Sequence, residues 1–393
     1  MVLKRFKQSK LDFNFREFLH GQQASGIILI LCTILSLIIA NSSLHDWYHH
    51  IWHVRIAIIV GHLSLDYSLH HWINDGLMAI FFLFVGLEIK REMLVGELSD
   101  LRSATLPVAV ALGGMIVPAG IYSLFNAGKA TISGFGIPMA TDIAFALGAL
   151  SLLGNKVPVN LKIFLTALAV IDDLGAIIVI ALFYGGHFDL TYFLMAIGVF
   201  VFLLLLNKLK VNSMFIYLGL GALLWYFTMQ SGIHATIAGV LLAFTIPFNS
   251  NGEDESLSSK LEHQLLQPVN FIIMPIFALA NTAIDLDADV LTKMNWNITL
   301  GILFGLMIGK VVGIVSFTYA CVKLNLSSLP EGVKWKHVAG MGFLAGIGFT
   351  MSIFVANLAF TDENMIDTAK IVIIFSSTLA GLVGYYFLKI AKS

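Results

Sequence analysis

Residues 165–183 read LTALAVIDDLGAIIVIALF, an apolar run with two adjacent carboxylates, Asp172 and Asp173, at its middle. A membrane-spanning helix needs roughly 20 apolar residues, so this run is long enough to cross a bilayer. A carboxylate at the bilayer centre costs several kcal/mol, and two neighbouring ones also repel each other. We therefore expect the pair to face water and to bind protons or small cations, which relieve both penalties.

The composition indicates a polytopic membrane protein. Of the 393 residues, 58% are hydrophobic and 12% are charged, and the mean hydropathy is +0.87. Soluble domains carry about 25% charged residues. The net charge of −1 gives no electrostatic footprint for nucleic acid. The two cysteines, Cys32 and Cys321, lie inside apolar runs and are expected to be small core residues.

Twelve stretches meet the length criterion for a span, so we predict an all-α protein with twelve transmembrane helices in a single domain, 1–393. Their approximate bounds are 22–40, 70–89, 104–125, 131–153, 159–184, 191–206, 213–228, 232–247, 268–284, 298–321, 338–359 and 367–388.

The distribution of basic residues predicts the orientation. With the N-terminus in the cytoplasm, 18 of the 23 Lys and Arg residues fall on the cytoplasmic side and four on the outer side. This positive-inside bias predicts that both termini are cytoplasmic and that the number of spans is even. Lys310 belongs to neither side, because it lies mid-span in GLMIGKVVGIV.

Two spans are interrupted at corresponding places. Gly134, Gly136 and Pro138 interrupt the fourth span, and four glycines between 340 and 348 interrupt the eleventh. Interrupted spans in two halves point to a transporter binding site between inverted repeats. We therefore predict core repeats at 104–184 and 298–388, running in opposite directions through the membrane.

An outer loop, 41–69, separates the first two spans. Seven of the twelve histidines lie between positions 45 and 71. Val54 to Leu65 is rich in β-formers, and Gly61-His62 could turn a short β-hairpin. Zn²⁺ or Ni²⁺ binding by these histidines is an alternative, but their spacing alone gives no convincing pair of ligand pairs.

Four charged side chains lie near the middle of three spans: Asp142, Asp172, Asp173 and Lys310. Charges at one depth in different helices can meet, although neighbouring helix positions lie about 100° apart, so only one of the paired aspartates is expected to point at Lys310. Interrupted helices present partial charges at their ends, for which Asp142 and Lys310 are suitable counter-charges. Structural ion pairing remains an alternative for all four, and direct ion contact remains one for Asp142.

The motifs resemble those of the bacterial NhaA sodium–proton antiporters, in order and spacing, from about residue 20 to the end. They are GLEIKRE (86–92), GGMIVP (113–118), PMATDIAFALG (138–148), LKIFLTALAVIDDLGAIIVIALFY (161–184), SGIHATIAGV (231–240), LEH (261–263), IGKVVGI (308–314) and GIGFTMSIF (346–354).

The resemblance implies a fold in which spans four and eleven are unwound and cross near mid-membrane. It implies that Asp173 is the main Na⁺ ligand and that Asp172 carries a proton as the partner of Lys310. Thr141 and Asp142 would lie at the crossing, with Asp142 balancing the helix-end dipoles.

The activity implied is that of a secondary transporter without a cofactor, not an enzyme. It would extrude Na⁺ or Li⁺ for more than one H⁺, electrogenically and with alkaline activation, for sodium and pH homeostasis. The hairpin of 41–69 would pair across a homodimer. The pH-sensing residues would be Glu88, Arg91, Glu92, Glu262, His263 and His234.

One position departs from the family pattern. Two residues before Glu262 the resemblance leads us to expect arginine, whereas the chain has Lys260. Lysine keeps the charge but lacks the bidentate fork of arginine, so the departure bears on the pH threshold and not on the transport chemistry.

Other functions are less compatible with the residues. An intramembrane aspartyl protease would need Asp142 and Asp172 to share a proton, which a neighbouring Lys310 would prevent. A channel would need a selectivity filter, and nothing resembles one. A carrier of organic solutes usually has aromatic or amide groups at its site, and the charged spans offer few. Thr350 and Ser352 are expected to bond freed backbone groups, with ion contact as the alternative.

Overall fold

The structure is a computed structural model, and it describes residues 23–60, 63–186, 188–249, 256–286, 292 and 294–391. Helices dominate these residues, as predicted, because most of the chain consists of apolar runs long enough to form them. We number them α1 (Gln23–Ala40), α2 (His45–His53), α3 (Leu69–Val95), α4 (Leu101–Asn126), α5 (Ile143–Ser151), α6 (Val159–Phe183), α7 (Leu190–Lys208), α8 (Met214–Gln230), α9 (Thr236–Thr245), α10 (Leu257–Asn281), α11 (Trp296–Lys323), α12 (Trp335–Ala345), α13 (Phe349–Ala359) and α14 (Glu363–Ile390).

Several of these helices can cross a membrane. Within the described ranges, nine segments are long and apolar enough, and the bent pair α12–α13 makes a tenth. The shorter helices α8 and α9 are also apolar. Each predicted span overlaps one of these segments, but α8 and α9 fall below the length criterion, so the count of twelve crossings stays a prediction.

The loop between α1 and α3 contains the predicted hairpin. Strands β1 (Arg55–Val60) and β2 (Leu63–Ser68) pair antiparallel, with Arg55 opposite Ser68 and Val60 opposite Leu63. The Gly61-His62 turn lies outside the described residues, as does most of the predicted acidic loop, 249–259.

Helix α2 precedes the hairpin and was not predicted. It places Tyr48 on its buried side, where the phenol donates to the Leu279 carbonyl over 2.9 Å. This nine-residue helix is amphipathic. Its histidines make the stretch look hydrophilic throughout, so the amphipathic pattern is not apparent from the composition.

Helices α1 and α10 are joined by hydrogen bonds along their length. Ser25 donates to the Asn270 carbonyl over 3.1 Å, and Ser36 donates to the Leu279 carbonyl over 3.0 Å. Just past the helix ends, the side-chain amide of Asn41 donates to the Ile284 carbonyl over 2.8 Å. Both serines are fully buried, so these bonds satisfy polar groups that would otherwise lie in an apolar environment.

Helices α4 and α11 approach each other at a pair of glycines. A Cβ added at Gly313 would lie 2.1 Å from the Gly113 carbonyl oxygen, and one at Gly113 would lie 2.5 Å from the Gly313 oxygen. Small residues permit such backbone contact between membrane helices. Gly313 is three residues after Lys310, and a π-helical turn over Gly305–Gly309 comes immediately before that lysine. The glycine contact therefore fixes the height and rotation of Lys310.

Two spans are broken, and their breaks lie side by side. The first runs as a 3₁₀-helix over Ala130–Met139, becomes extended, and restarts as α5. The second bends by 47° between α12 and α13. The amide of Asp142 donates to the Ile347 carbonyl over 2.6 Å, and the Ser352 hydroxyl donates to the Ile137 carbonyl over 2.7 Å. The breaks thus hydrogen-bond to each other, while the inverted repeat stays a prediction.

The first break lies later than the sequence suggested. Gly134 and Gly136 belong to the 3₁₀-helix, and the extended residues follow Met139. These glycines serve packing: a Cβ at Gly134 would lie 2.3 Å from the Tyr122 hydroxyl oxygen, and one at Gly136 would lie 2.5 Å from that of Tyr184. From the sequence alone, a glycine that interrupts a helix cannot be distinguished from a glycine that allows close packing.

Candidate functional site

Lys310 pairs with Asp172 beside the first break. Its ammonium nitrogen lies 2.7 Å from Asp172 Oδ2 and 3.0 Å from the Thr141 hydroxyl, and it also donates to the Met139 carbonyl. Lys310, Asp172 and Thr141 are all fully buried. This is the ion pair that the resemblance implied. The third contact places the ammonium at the carbonyl end of the 3₁₀-helix, where a positive charge is favoured.

The hydroxyl of Thr141 connects this ion pair to the second break. Its oxygen lies 2.7 Å from Asp172 Oδ2 and 2.8 Å from the Ala345 carbonyl oxygen, but a hydroxyl has one proton to donate. With Asp172 ionised, Thr141 can donate to the carboxylate. With Asp172 protonated, the carboxyl can donate to Thr141, which then donates to Ala345. The same heavy-atom positions therefore serve both protonation states.

Asp142 caps two helices at once. Its Oδ1 accepts from the amide of Phe145 over 3.1 Å in α5, and its Oδ2 accepts from the amide of Thr350 over 3.1 Å in α13. The Thr350 hydroxyl donates to the same Oδ2. A carboxylate at a helix N-terminus satisfies free N–H groups and the helix dipole. These contacts agree with the dipole-balancing position expected for Asp142. These donors occupy the Asp142 oxygens, and Asp172 is not among them. The geometry therefore does not favour a pair of aspartates, Asp142 and Asp172, that share a proton.

Asp172 and Asp173 each have one carboxylate oxygen that no described residue hydrogen-bonds. In both residues this atom is the buried Oδ1. Buried polar atoms are otherwise nearly always paired. Three carboxylates and one ammonium, all at most 2% exposed, surround the breaks. Two unpaired carboxylate oxygens in this arrangement fit a hard cation that prefers oxygen ligands, and they also fit protons.

Asp173 lines a narrow cleft with a cavity volume of about 20 Å³. The polar groups along the cleft are Asp173, Asp142, Thr350, Asn270 and Glu88. Its remaining lining is apolar or backbone: Phe81, Phe84, Val85, Ile143, Ala144, Met274 and Met351. Asp173 therefore faces the cleft, whereas Asp172 is not among the residues that line it.

Glu88 connects this cleft to an ionic cluster around Arg91. The Arg91 guanidinium lies 3.8 Å from Glu88, 3.3 Å from Glu92 and 3.3 Å from Glu262. Glu88 is 5% exposed and faces both the cluster and the cleft. Four of the six predicted pH-sensing residues therefore lie together, where α3 ends and α10 begins.

The other two predicted pH-sensing residues lie apart from the cluster. His263 is exposed and makes no ion pair among the described residues. His234, before α9, hydrogen-bonds through Nε2 to the Tyr184 carbonyl at the end of α6. Lys260 is also exposed, and it lies two residues before Glu262 but is not among the residues that contact Arg91.

Three site residues were not predicted. Asn270 lines the cleft. Ser377 accepts from the amides of Gly348 and Phe349 over 3.2 and 3.1 Å, which completes the cap of α13. Lys90 donates to the carbonyls of Ala243, Phe244 and Ile246 at the end of α9. A polar residue inside an apolar run was the available signal for Asn270 and Ser377, and Lys90 looked like ordinary positive flanking.

Comparisons with known proteins agree on one family. The model of the Na⁺/H⁺ antiporter 1 family matches residues 16–388. The Na⁺/H⁺ antiporter NhaA of Flavobacterium psychrophilum is 53% identical over 380 residues, covering 97% of both chains. That of Dechloromonas aromatica is 52% identical over 384 residues, again covering 97% of both. Na⁺/H⁺ antiporter NhaA 1 of Clostridium beijerinckii is 48% identical over 393 residues, covering 99% of this chain and 98% of the relative.

A solved structure shares the fold at low sequence identity. The sodium proton antiporter MjNhaP1 from Methanocaldococcus jannaschii, at pH 8, superposes with a TM-score of 0.53 and 12% identity. The superposition covers 97% of this chain and 98% of that one. A helical arrangement of this kind therefore spans almost the whole chain described above.

Proposed function

Because the chain belongs to the Na⁺/H⁺ antiporter 1 family, we propose that its sodium–proton exchange rests on competition between Na⁺ and H⁺ for Asp172 and Asp173. The family is one of multi-pass membrane transporters, and Na⁺ and H⁺ are the ions that it exchanges. The observation that carries the proposal is the pair of unpartnered Oδ1 atoms, together with the cleft that Asp173 lines.

In this proposal Asp173 is the main Na⁺ ligand, because it lines the cleft and has a free oxygen. Asp172 carries a proton in exchange with its ion pair to Lys310. Na⁺ arriving at Asp173 favours the ionised form of both carboxylates, and protons arriving from the other side displace it. If the site must hold either Na⁺ or H⁺ before it opens to the opposite side of the membrane, it exchanges the two ions. No covalent chemistry is needed.

The transport direction and charge follow from the same two carboxylates. We propose that cytoplasmic Na⁺, or Li⁺ of the same charge, leaves as more than one H⁺ enters. The exchange is then electrogenic and driven by the membrane potential, worth about 2.3 kcal/mol per charge per 100 mV. It operates in the bacterial inner membrane with both termini in the cytoplasm.

Regulation by pH is assigned in this proposal to the cluster around Arg91. Glu88, Glu92 and Glu262 place three carboxylates around one guanidinium, next to the cleft that leads to Asp173. Deprotonation of this group at alkaline pH makes the cleft entrance more negative, which attracts Na⁺ and activates exchange.

We also propose that the protein is a homodimer paired through the hairpin. A two-stranded sheet leaves one free edge on each strand, and such edges readily pair with another chain. The β1 strand exposes Ile56, Ile58 and Ile59 by 43%, 46% and 68%. The isoleucines offer apolar area for this contact beside the free edges.

The test is Na⁺-induced proton release from acidified everted membrane vesicles, with Na⁺, Li⁺ and K⁺ compared across pH. Asp173→Asn keeps the size of the side chain but removes its charge, so we expect it to abolish release by Na⁺ and Li⁺. Glu331→Gln, at an exposed carboxylate remote from the cleft, is the matched control and should behave like the wild type. Wild-type flux in Asp173→Asn, at equal amounts of protein in the membrane, would remove the assignment of the ion site.

A further inference from the structure

Two histidines and an aspartate converge at the end of the molecule that carries the hairpin. His45 Nε2 lies 3.0 Å and His49 Nε2 lies 3.1 Å from the same oxygen, Asp285 Oδ1. The histidines are one turn apart on α2, and Asp285 follows α10 in the fold. All three ligand atoms lie within 4.8 Å of one another. The transport site uses none of these residues.

We propose that His45, His49 and Asp285 form a Zn²⁺-binding site. Two imidazole nitrogens and one carboxylate oxygen are common zinc ligands, and water would complete a tetrahedral shell. With zinc–ligand bonds of about 2.0–2.1 Å, the ligand atoms of a tetrahedral site lie about 3.3 Å apart. The two distances to Asp285 need to lengthen by only a few tenths of an ångström, and the partly exposed imidazoles can rotate toward each other.

The two hydrogen-bond acceptors around the His45 ring favour Zn²⁺ at this site. His45 Nε2 faces Asp285 and His45 Nδ1 lies 3.1 Å from Asp46 Oδ1, so two acceptors flank one ring. Without metal, both contacts are satisfied only by the doubly protonated imidazolium. With Zn²⁺ on Nε2, the neutral ring keeps its Nδ1 proton and donates it to Asp46. A histidine that binds zinc through one ring nitrogen usually donates the N–H of the other to a partner such as a carboxylate.

The backbone holds the aspartate in place. The Asn41 side chain donates to the Ile284 carbonyl over 2.8 Å and accepts from the Leu286 amide over 2.7 Å. These bonds clamp the chain on both sides of Asp285 against the loop that leads into α2. A ligand set whose segments are fixed in this way loses little conformational entropy when the metal binds.

The experiment measures Zn²⁺ binding to the purified full-length protein without a polyhistidine tag, by competition with a chromogenic chelator. We expect one saturable site per chain, lost in His45→Ala and in His49→Ala. Asp46→Asn should weaken the site by about 10- to 100-fold, as for other partners of metal-bound histidines. His50→Ala is the matched control, since this exposed residue of the same helix does not contact Asp285, and it should bind as the wild type does.

X-ray absorption at the zinc edge supplies a second readout that does not depend on the variants folding. We expect two imidazole scatterers with one or two oxygen ligands. The proposal fails if no saturable binding is found, if binding survives His45→Ala/His49→Ala, or if His50→Ala lowers it equally. The readout is independent of transport, so failure here leaves the proposed exchange untouched, and the reverse also holds.

Discussion

At the scale of single residues, Lys310 connects more of the site than any other side chain described above. It contacts Asp172, Thr141 and the end of a 3₁₀-helix from a position with no solvent exposure. Taking charges out of water is expensive, and removing one partner leaves the other uncompensated.

We predict that Lys310→Met lowers the free energy of unfolding by about 3–5 kcal/mol, the usual cost of breaking a buried ion pair. The measurement is thermal unfolding in detergent, followed by intrinsic fluorescence. Lys310→Met/Asp172→Asn removes both charges and should recover part of the loss. Equal stability of the single and the double variant would mean that the two side chains do not interact.

The sequence predicted these residues because a charge in an apolar run is conspicuous. It predicted that one of the adjacent aspartates meets Lys310, since neighbouring helix positions point in different directions. It did not predict the contact of His45 and His49 with Asp285, because 240 and 236 residues separate these partners in the chain. Pairings at such distances depend on tertiary structure, which a single sequence does not reveal.

At the scale of elements, the contact between α4 and α11 is set by Gly113 and Gly313. We predict that Gly113→Ala pushes these helices apart, because its Cβ would lie 2.5 Å from the Gly313 oxygen and 2.5 Å from the Phe317 ring. Real Cβ atoms do not approach backbone that closely, so Lys310 would shift relative to Asp172. Both the thermal stability and the Na⁺-induced proton release should fall.

Gly120 provides the control for this prediction on the same helix. A Cβ there meets nothing within 4 Å, so Gly120→Ala should leave transport intact and change only the helix propensity. If both substitutions reduced transport equally, helix propensity or insertion, rather than the glycine contact, would account for the effect.

Element type was predictable where apolar runs were long, as for α6 and α11. Details that depend on partners were not. The amphipathic helix α2 is short, and its buried side is defined by Tyr48 meeting α10. The exact position of the first break is defined by Asp142 and the carbonyl of Ile347, which belong to different halves of the chain.

At the scale of the whole molecule, His45 joins α2 to the segment after α10 in a pH-dependent way. Hydrogen bonds to Asp285 and Asp46 raise the pKa of His45 above its ordinary 6.5. A raised pKa in the folded state means that the stabilisation is fully present below about pH 6.5 and is lost as the pH rises through the folded-state value.

We therefore predict that His45→Ala lowers the melting temperature more at pH 6 than at pH 9, measured in low salt. Zn²⁺ should reverse the trend, because metal binding needs the deprotonated nitrogen and strengthens as pH rises. A difference between wild type and variant that does not change with pH would contradict the assignment of these contacts.

The hairpin offers a clean test of subunit association. The Leu69 amide donates to the Val54 carbonyl over 2.8 Å, so the two ends of the hairpin already touch. A variant that joins Val54 to Leu69 through a short glycine linker should keep its helices and its transport. We predict that it has the mass of a monomer by light scattering in detergent, and that the intact chain has the mass of a dimer. A dimeric mass for the variant would place the subunit contact elsewhere.

The hydrogen bonds between α1 and α10 have a consequence for biosynthesis. Ser25 and Ser36 find their acceptors 245 and 243 residues further along the chain. At about 5–20 residues per second, the ribosome needs roughly 12 to 50 s to make that partner after the first helix has been inserted. During this interval the nascent helix must keep two serines among lipid or against the insertion machinery. Contact between α1 and its partner therefore waits until α10 has been translated.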